Sequence, residues 1–152
     1  MLEKGLLPEI TWFHDLDAFQ NAPIEINLER DLGLTDHGYK ESWNTGSFFF
    51  KPTALDIFRL LKEELEKRKA NEQPVMWILT KYNINGINPR IQKFNITYNI
   101  GMRHLDKIVP MAEKPIKVVH FPTHEKSVFE EFKPILNKEL IRIISEKYGY
   151  EV

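Results

Sequence analysis

The sequence predicts an α/β domain. Three observations lead there. Short apolar runs rich in β-branched and aromatic residues read as buried strands. Longer segments with an apolar stripe and a charged face alternate with them. No internal repeat or low-complexity segment interrupts the alternation. At 152 residues the chain is large enough for one domain, 1–152, with its own core. Its 42% hydrophobic and 12% aromatic content exclude a disordered chain.

Taken in order, Met1 to Leu7 resembles the tail of a helix, broken by Gly5 and Pro8. Ile10 to His14 reads as a strand and runs directly into Asp15-Leu16-Asp17. Asn21 to Asp36 is a connecting region with weak periodicity. Ser47 to Phe50 is a second buried strand, stopped by Pro52, and Asn44-Thr45-Gly46 before it reads by itself as a turn. Thr53 is placed to cap a helix from Ala54 to about Lys69, with Leu55, Phe58, Leu61 and Leu65 on its apolar face. A short helix spans about Pro74 to Tyr82, and Asn83 to Pro89 is turn-rich. Ile91 to Tyr98 alternates like a strand, and Ile116 to Phe121 is a strand of strong β propensity. Lys126 to Tyr148 is helical with a break near Pro134.

Charge and composition narrow the function. With 21 basic and 22 acidic residues the net charge is −1, so no basic excess calls for nucleic acid or an acidic membrane surface. Without cysteine there is neither a disulfide framework nor a thiolate metal site. No apolar run is long enough to span a bilayer and the first residues lack a signal-peptide pattern, which predicts a cytoplasmic protein. Asp15 and Asp17 stand two apart at a strand's exit, a spacing that directs both carboxylates to one side of a strand. Hard oxygen ligands suit Mg²⁺ or Mn²⁺, with a phosphate completing the shell. Capping of the following turn accounts for the two aspartates equally well.

An ordered series of motifs decides between these readings. An apolar strand ends in D-x-D at Phe13 to Ala18. Asn44-Thr45-Gly46 leads into the Ser47 to Phe50 strand and a Pro52-Thr53 helix start. Glu72-Gln73 opens the next helix, Thr97-Tyr98-Asn99 follows, and Lys117-Val118-Val119-His120-Phe121 precedes Lys126 by six residues from the histidine. The series resembles GT-A glycosyltransferases, most closely glycosyltransferase family 8, over roughly Pro8 to Lys126.

The resemblance implies that Asp15, Asp17 and His120 hold a divalent metal, Mn²⁺ or Mg²⁺. It implies a nucleotide-diphosphate sugar as donor, a UDP-sugar first among them, and an acceptor of unspecified type. Lys126 would neutralise the leaving diphosphate, Asn44 and Gly46 would bind donor or acceptor, and Glu72 and Gln73 would line the sugar, with Gln73 steadying the cationic sugar during transfer with retention. The family carries Asp where Glu72 stands, and a polar or small residue where Pro74 stands. The extra methylene moves the Glu72 carboxylate by an amount that can cost about a hundredfold in rate.

The family also places roughly a hundred residues of βαβ structure before the D-x-D strand. The resemblance therefore implies a partial GT-A fold, a mixed sheet with flanking helices, as a carboxy-terminal half lacking the amino-terminal nucleotide-binding strands, with a separate amino-terminal half as a possible partner. Two rival functions are a non-catalytic binding protein decayed from a transferase and a D-x-D phosphohydrolase of the haloacid dehalogenase type. In the phosphohydrolase Asp15 would be the nucleophile and Asp17 the general acid. That class needs a late acidic pair, and after Asp56 the only Asp is Asp106.

Overall fold

The computed structural model describes residues 4–151. Two small sheets lie side by side, each with its own helices. The first has strand order β1-β4-β3-β5, built from β1 (Thr11–His14), β3 (Leu32–Asp36), β4 (Trp43–Phe50) and β5 (Ile91–Lys93). β4 runs antiparallel to both its neighbours, whereas β3 and β5 are parallel. The second has order β2-β7-β6, from β2 (Ala18–Gln20), β6 (Ile100–Gly101) and β7 (Val118–His120). There β2 is antiparallel and β6 parallel to β7.

Helices α1 (Leu55–Arg68) and α2 (Glu72–Lys81) cover the first sheet. Their apolar faces bury Ile57, Val75 and Leu79 against Leu32, Leu34 and Phe50. The short α3 (Leu105–Ile108) and the longer α4 (Lys126–Phe132) and α5 (Lys138–Tyr148) cover the second sheet. Its core is aromatic, with Phe121 stacked on Phe132 at 4.1 Å between centroids. A 3-10 turn at Lys133–Ile135 separates α4 from α5, where Pro134 cannot supply a helical donor. Buried Asn21, just after β2, has every hydrogen-bonding group on its side chain satisfied. Its amide donates to the carbonyls of Ile116 and Ile135, and its Oδ1 accepts from Asn137 N–H at 2.7 Å. No helix among the described residues is long and apolar enough to cross a membrane.

Several expectations need correction. Met1 to Glu3 lie outside the described residues, so the helix tail there is not addressed. The connecting region contains β3, which is buried at Leu32, Gly33, Leu34 and Thr35 on both faces and so shows no alternation. Thr53 does not cap α1; it sits in a 3-10 turn, Pro52–Ala54, and its hydroxyl bonds Asp31 instead. The strand expected over Ile91 to Tyr98 stops at Lys93. Asn95 then accepts from Thr97 N–H at 2.9 Å, starting a 3-10 turn at Ile96–Tyr98.

The most consequential difference is in β4. Asn44-Thr45-Gly46 is part of the strand, and the register with β3 slips there. Two steps along β3, Gly33 to Thr35, correspond to five along β4, Phe49 to Asn44. The extra residues form a bulge, which bends a strand and re-aims its side chains. Trp43 and Phe48 consequently both join the α1–α2 core despite their odd sequence separation, while Asn44 faces the second sheet.

Candidate metal centre and its two clefts

The chain crosses from the first sheet to the second at Asp15-Leu16-Asp17. β1 ends at His14, and Asp15 continues the ladder by donating its N–H to Gly46 O at 2.9 Å. A tight turn follows, with Ala18 N–H bonded to Asp15 O, and β2 begins beside β7 with Ala18 opposite His120. Leu16 at the tip is fully exposed. The two carboxylates therefore converge through a turn, and strand alternation is not what aligns them.

His120 reaches both acids. Its Nε2 lies 3.0 Å from Asp17 Oδ1 and 3.6 Å from Asp15 Oδ2. One ligand atom from each of the three residues lies within 4.8 Å of the others, the only such group of three or more among the described residues. Asp106, on α3, has no place in it, which removes the acidic pair a phosphohydrolase would need. Burial pushes the Asp15 carboxyl up. His120 opposes this, and the negative charges of Asp17 and Glu72 add to it. Such crowding of acids is the situation a divalent cation relieves.

Gly46 makes the approach possible. A Cβ there would lie 2.0 Å from His120 Cε1 and 2.1 Å from Nδ1. Any side chain at this position would push the imidazole away from the aspartates. Two carboxylates and one imidazole form a donor set suited to Mn²⁺ or Mg²⁺ completed by phosphate oxygens. The residues present thus fit the metal that the sequence resemblance implies.

A cleft opens on either side of the triad. The polar one, about 300 Å³, is lined by Asp17 and His120 and by Asn44, Gln73, His37 and Tyr39, among others. Gln73 Oε1 pairs with His37 Nε2 at 3.2 Å. Burial first, and then the charge of Lys40, hold the His37 imidazole below its ordinary pKa. The second cleft, about 360 Å³, is apolar, with Phe13, Leu34, Phe48, Phe58 and Met76 in its walls and Asp15, Thr45 and Glu72 at its polar end. Glu72 and Gln73, adjacent at the start of α2, are thereby divided between the two clefts. The Thr45 hydroxyl donates to Glu72 Oε1 at 3.1 Å and ties the longer carboxylate back to β4.

The remaining expected residues fall as follows. Asn44 is buried at the polar cleft. Its Oδ1 accepts from Gly46 N–H, and its amide donates weakly, at 3.5 Å, to Asn99 O. Asn99 returns the contact, donating to Asn44 O at 3.0 Å and to Ser47 O at 3.4 Å. The Asn99 of the Tyr-Asn motif is thus a clamp between the sheets. Lys126 is the first residue of α4, exposed, and lines neither cleft. Sequence reading missed His37, Tyr39, Lys40 and Arg103 of the polar cleft, which stand in turns without periodicity. Thr45 was read only as part of a motif.

No family model matches the sequence, and no curated protein matches it. Solved structures do. A glycosyltransferase involved in the glycosylation of the major capsid of PBCV-1 superposes with a TM-score of 0.57 and 19% identity, over 88% of this chain and 70% of that one. The galactosyltransferase LgtC in complex with donor and acceptor sugar analogues gives 0.55 and 16%, over 91% and 67%. An active-site mutant of LgtC gives 0.54 and 16%, over 91% and 68%. The chain has the GT-A glycosyltransferase fold: mixed sheets with flanking helices.

Proposed function

We propose that this chain is a metal-dependent glycosyltransferase. It would move a sugar from a nucleotide-diphosphate sugar, in the first instance a UDP-sugar, to an acceptor with retention of configuration. The observation that carries the reading is the convergence of Asp15, Asp17 and His120 within 4.8 Å. The GT-A fold around that triad supports it.

When bound, the metal supplies charge neutralisation for the departing diphosphate. The chain's own residues do the rest. His120 presents Nε2 to the acids, the atom through which it would serve as a ligand. Lys126, exposed at the start of α4 and outside both clefts, is assigned to the diphosphate as a second positive group on its spacing of six residues from His120. Gln73, fixed by His37, faces the polar cleft and is assigned to the sugar's reacting side. Glu72, fixed by Thr45, lines the opposite side. The Thr45 tether is what accommodates Glu in place of the family's Asp. Asn44 lines the polar cleft and is assigned to a sugar hydroxyl, and Gly46, packed against His120, is assigned to the same donor or acceptor contact.

The test is release of UDP from a panel of UDP-sugars, with and without Mn²⁺, together with thermal unfolding. Release that requires Mn²⁺ is expected. UDP with Mn²⁺ at a hundred times its dissociation constant should add about 2.7 kcal/mol of stability. Absence of any Mn²⁺-dependent shift would remove the reading.

A further inference from the structure

The polar cleft carries positive charge that the metal triad does not use. Lys40 and Arg103 both line it. Its one acidic lining residue is Asp17, already engaged with His120. Asp36, on the strand leading to Lys40, is committed elsewhere: it accepts from Gly38 N–H at 2.9 Å and pairs with Lys93. Arg103 has no ion pair or hydrogen bond from its side chain among the described residues. Lys40 has no acidic partner among the described residues; its Nζ lies 5.8 Å from the Tyr39 ring centroid and its charge bears on His37. Two cations without acidic partners at one cleft are poised for an anion from outside.

The same cleft has the features of a carbohydrate site. Tyr39 and His37 line it with ring centroids 5.6 Å apart, and His104 backs Tyr39 at 4.6 Å, which gives an aromatic wall for the apolar face of a pyranose. Gln73 and Asn44 offer amide groups for hydroxyls, and His37 a ring nitrogen. The opposite cleft has no cation in its lining, so only the polar side of the triad offers positive side chains.

We infer that the polar cleft binds an anionic carbohydrate, a sugar bearing a carboxylate or a phosphate, and that Lys40 and Arg103 select it. That this ligand is the acceptor rests on the transferase reading; its chemical class rests on the cleft alone. A neutral sugar would gain the aromatic wall and the amides and forgo both cations. Arg103, with its planar fork, matches a carboxylate or phosphate in two-pronged fashion, and Lys40 adds a point charge.

The experiment measures dissociation constants by ligand-observed NMR for methyl glucuronide, glucose 6-phosphate and methyl glucoside. The full chain is used with Mn²⁺ and UDP present, and Mn²⁺–UDP affinity is measured separately. Both anionic sugars should bind roughly tenfold or more tightly than the neutral one, and the gap should narrow as salt is raised. The double variant Lys40→Ala/Arg103→Ala should abolish the gap while leaving Mn²⁺–UDP affinity unaltered. A preference for only one of the anionic sugars narrows the class to carboxylate or phosphate and supports the assignment. Equal binding of charged and neutral sugars, binding of none, or a gap that survives the double variant would overturn it. So would a parallel loss of Mn²⁺–UDP affinity, which would give both cations to the donor. Failure of Mn²⁺–UDP binding with the anion preference intact would sink the transferase reading and leave the cleft's ligand class standing.

Discussion

The two clefts share one wall and have opposite chemistry. On the side of the second sheet, Asn44, Gln73 and His37 make a polar pocket held by side-chain hydrogen bonds. On the side of the first sheet, Phe13, Phe48 and Phe58 make an apolar one whose only polar end is Asp15, Thr45 and Glu72. Neighbouring residues on the same strand, Asn44 and Thr45, and on the same helix, Glu72 and Gln73, are sorted to opposite sides. The lesson is that one bulged strand and one helix start can divide a polar cleft from an apolar one, with Asp15, Asp17 and His120 at the boundary.

The clamp between the halves is the place to break this division most severely. Asn99→Leu would leave the buried carbonyls of Asn44 and Ser47 without their donor. We expect a loss of about 3 kcal/mol of unfolding free energy, read by urea denaturation. A loss below 0.5 kcal/mol, on the order of a surface substitution, would mean that Asn99 does not join the sheets.

The shared wall comes next. Gly46→Ala places a methyl group where the His120 ring lies, so the ring must move. Mn²⁺-dependent nucleotide binding should fall about a hundredfold, a cost typical of an ångström-scale displacement of a working group. Unchanged binding would show that His120 need not occupy its observed position.

A smaller effect is expected on one side only. Thr45→Val keeps the shape of the strand and frees Glu72. Transfer should slow about tenfold, with sugar selectivity relaxed and metal affinity unchanged. Equal damage to metal binding would mean that the two sides are not separable.

The smallest effect lies outside both clefts and serves as a reference for stability alone. Arg90 donates to Asp31 at 2.6 Å and to Thr53 O at 2.7 Å, and it pairs with Asp56, joining α1 to the strand edge. These bonds hold the Asp56 carboxyl below its ordinary pKa. Asp31 is lowered too: its burial acts upward, but Thr53 and Arg90 outweigh it. A depressed carboxyl contributes stability above its unfolded pKa and loses it as pH falls through the folded one. Arg90→Ala should therefore cost about 1 kcal/mol at pH 7, and the difference from the parent should close as pH drops below about 4. Nucleotide binding should be unaffected throughout.

How much of this was legible in the sequence depended on whether a residue's role followed from a regular period. The Ile10–His14 strand, α1 and the broken final helix were readable because their apolar residues recur at strand or helix spacing. β3 was not, since burial on both faces erases alternation. The bulge in β4 was invisible because it is a property of pairing, and no residue type announces it. The convergence of Asp15, Asp17 and His120 was readable through the motif order. The residues that give the polar cleft its charge were not: Lys40 and Arg103 reach the site from turns and meet only in three dimensions.

The central claim is that Asp15, Asp17 and His120 act together as a divalent metal site. Titration of the chain with Mn²⁺ in the presence of UDP, followed by electron paramagnetic resonance of the free ion, tests it most directly. The parent should deplete free Mn²⁺ saturably, and Asp17→Asn and His120→Ala should each abolish that depletion without lowering the melting temperature. Depletion by the His120→Ala chain equal to that of the parent, or none by the parent, would contradict the account.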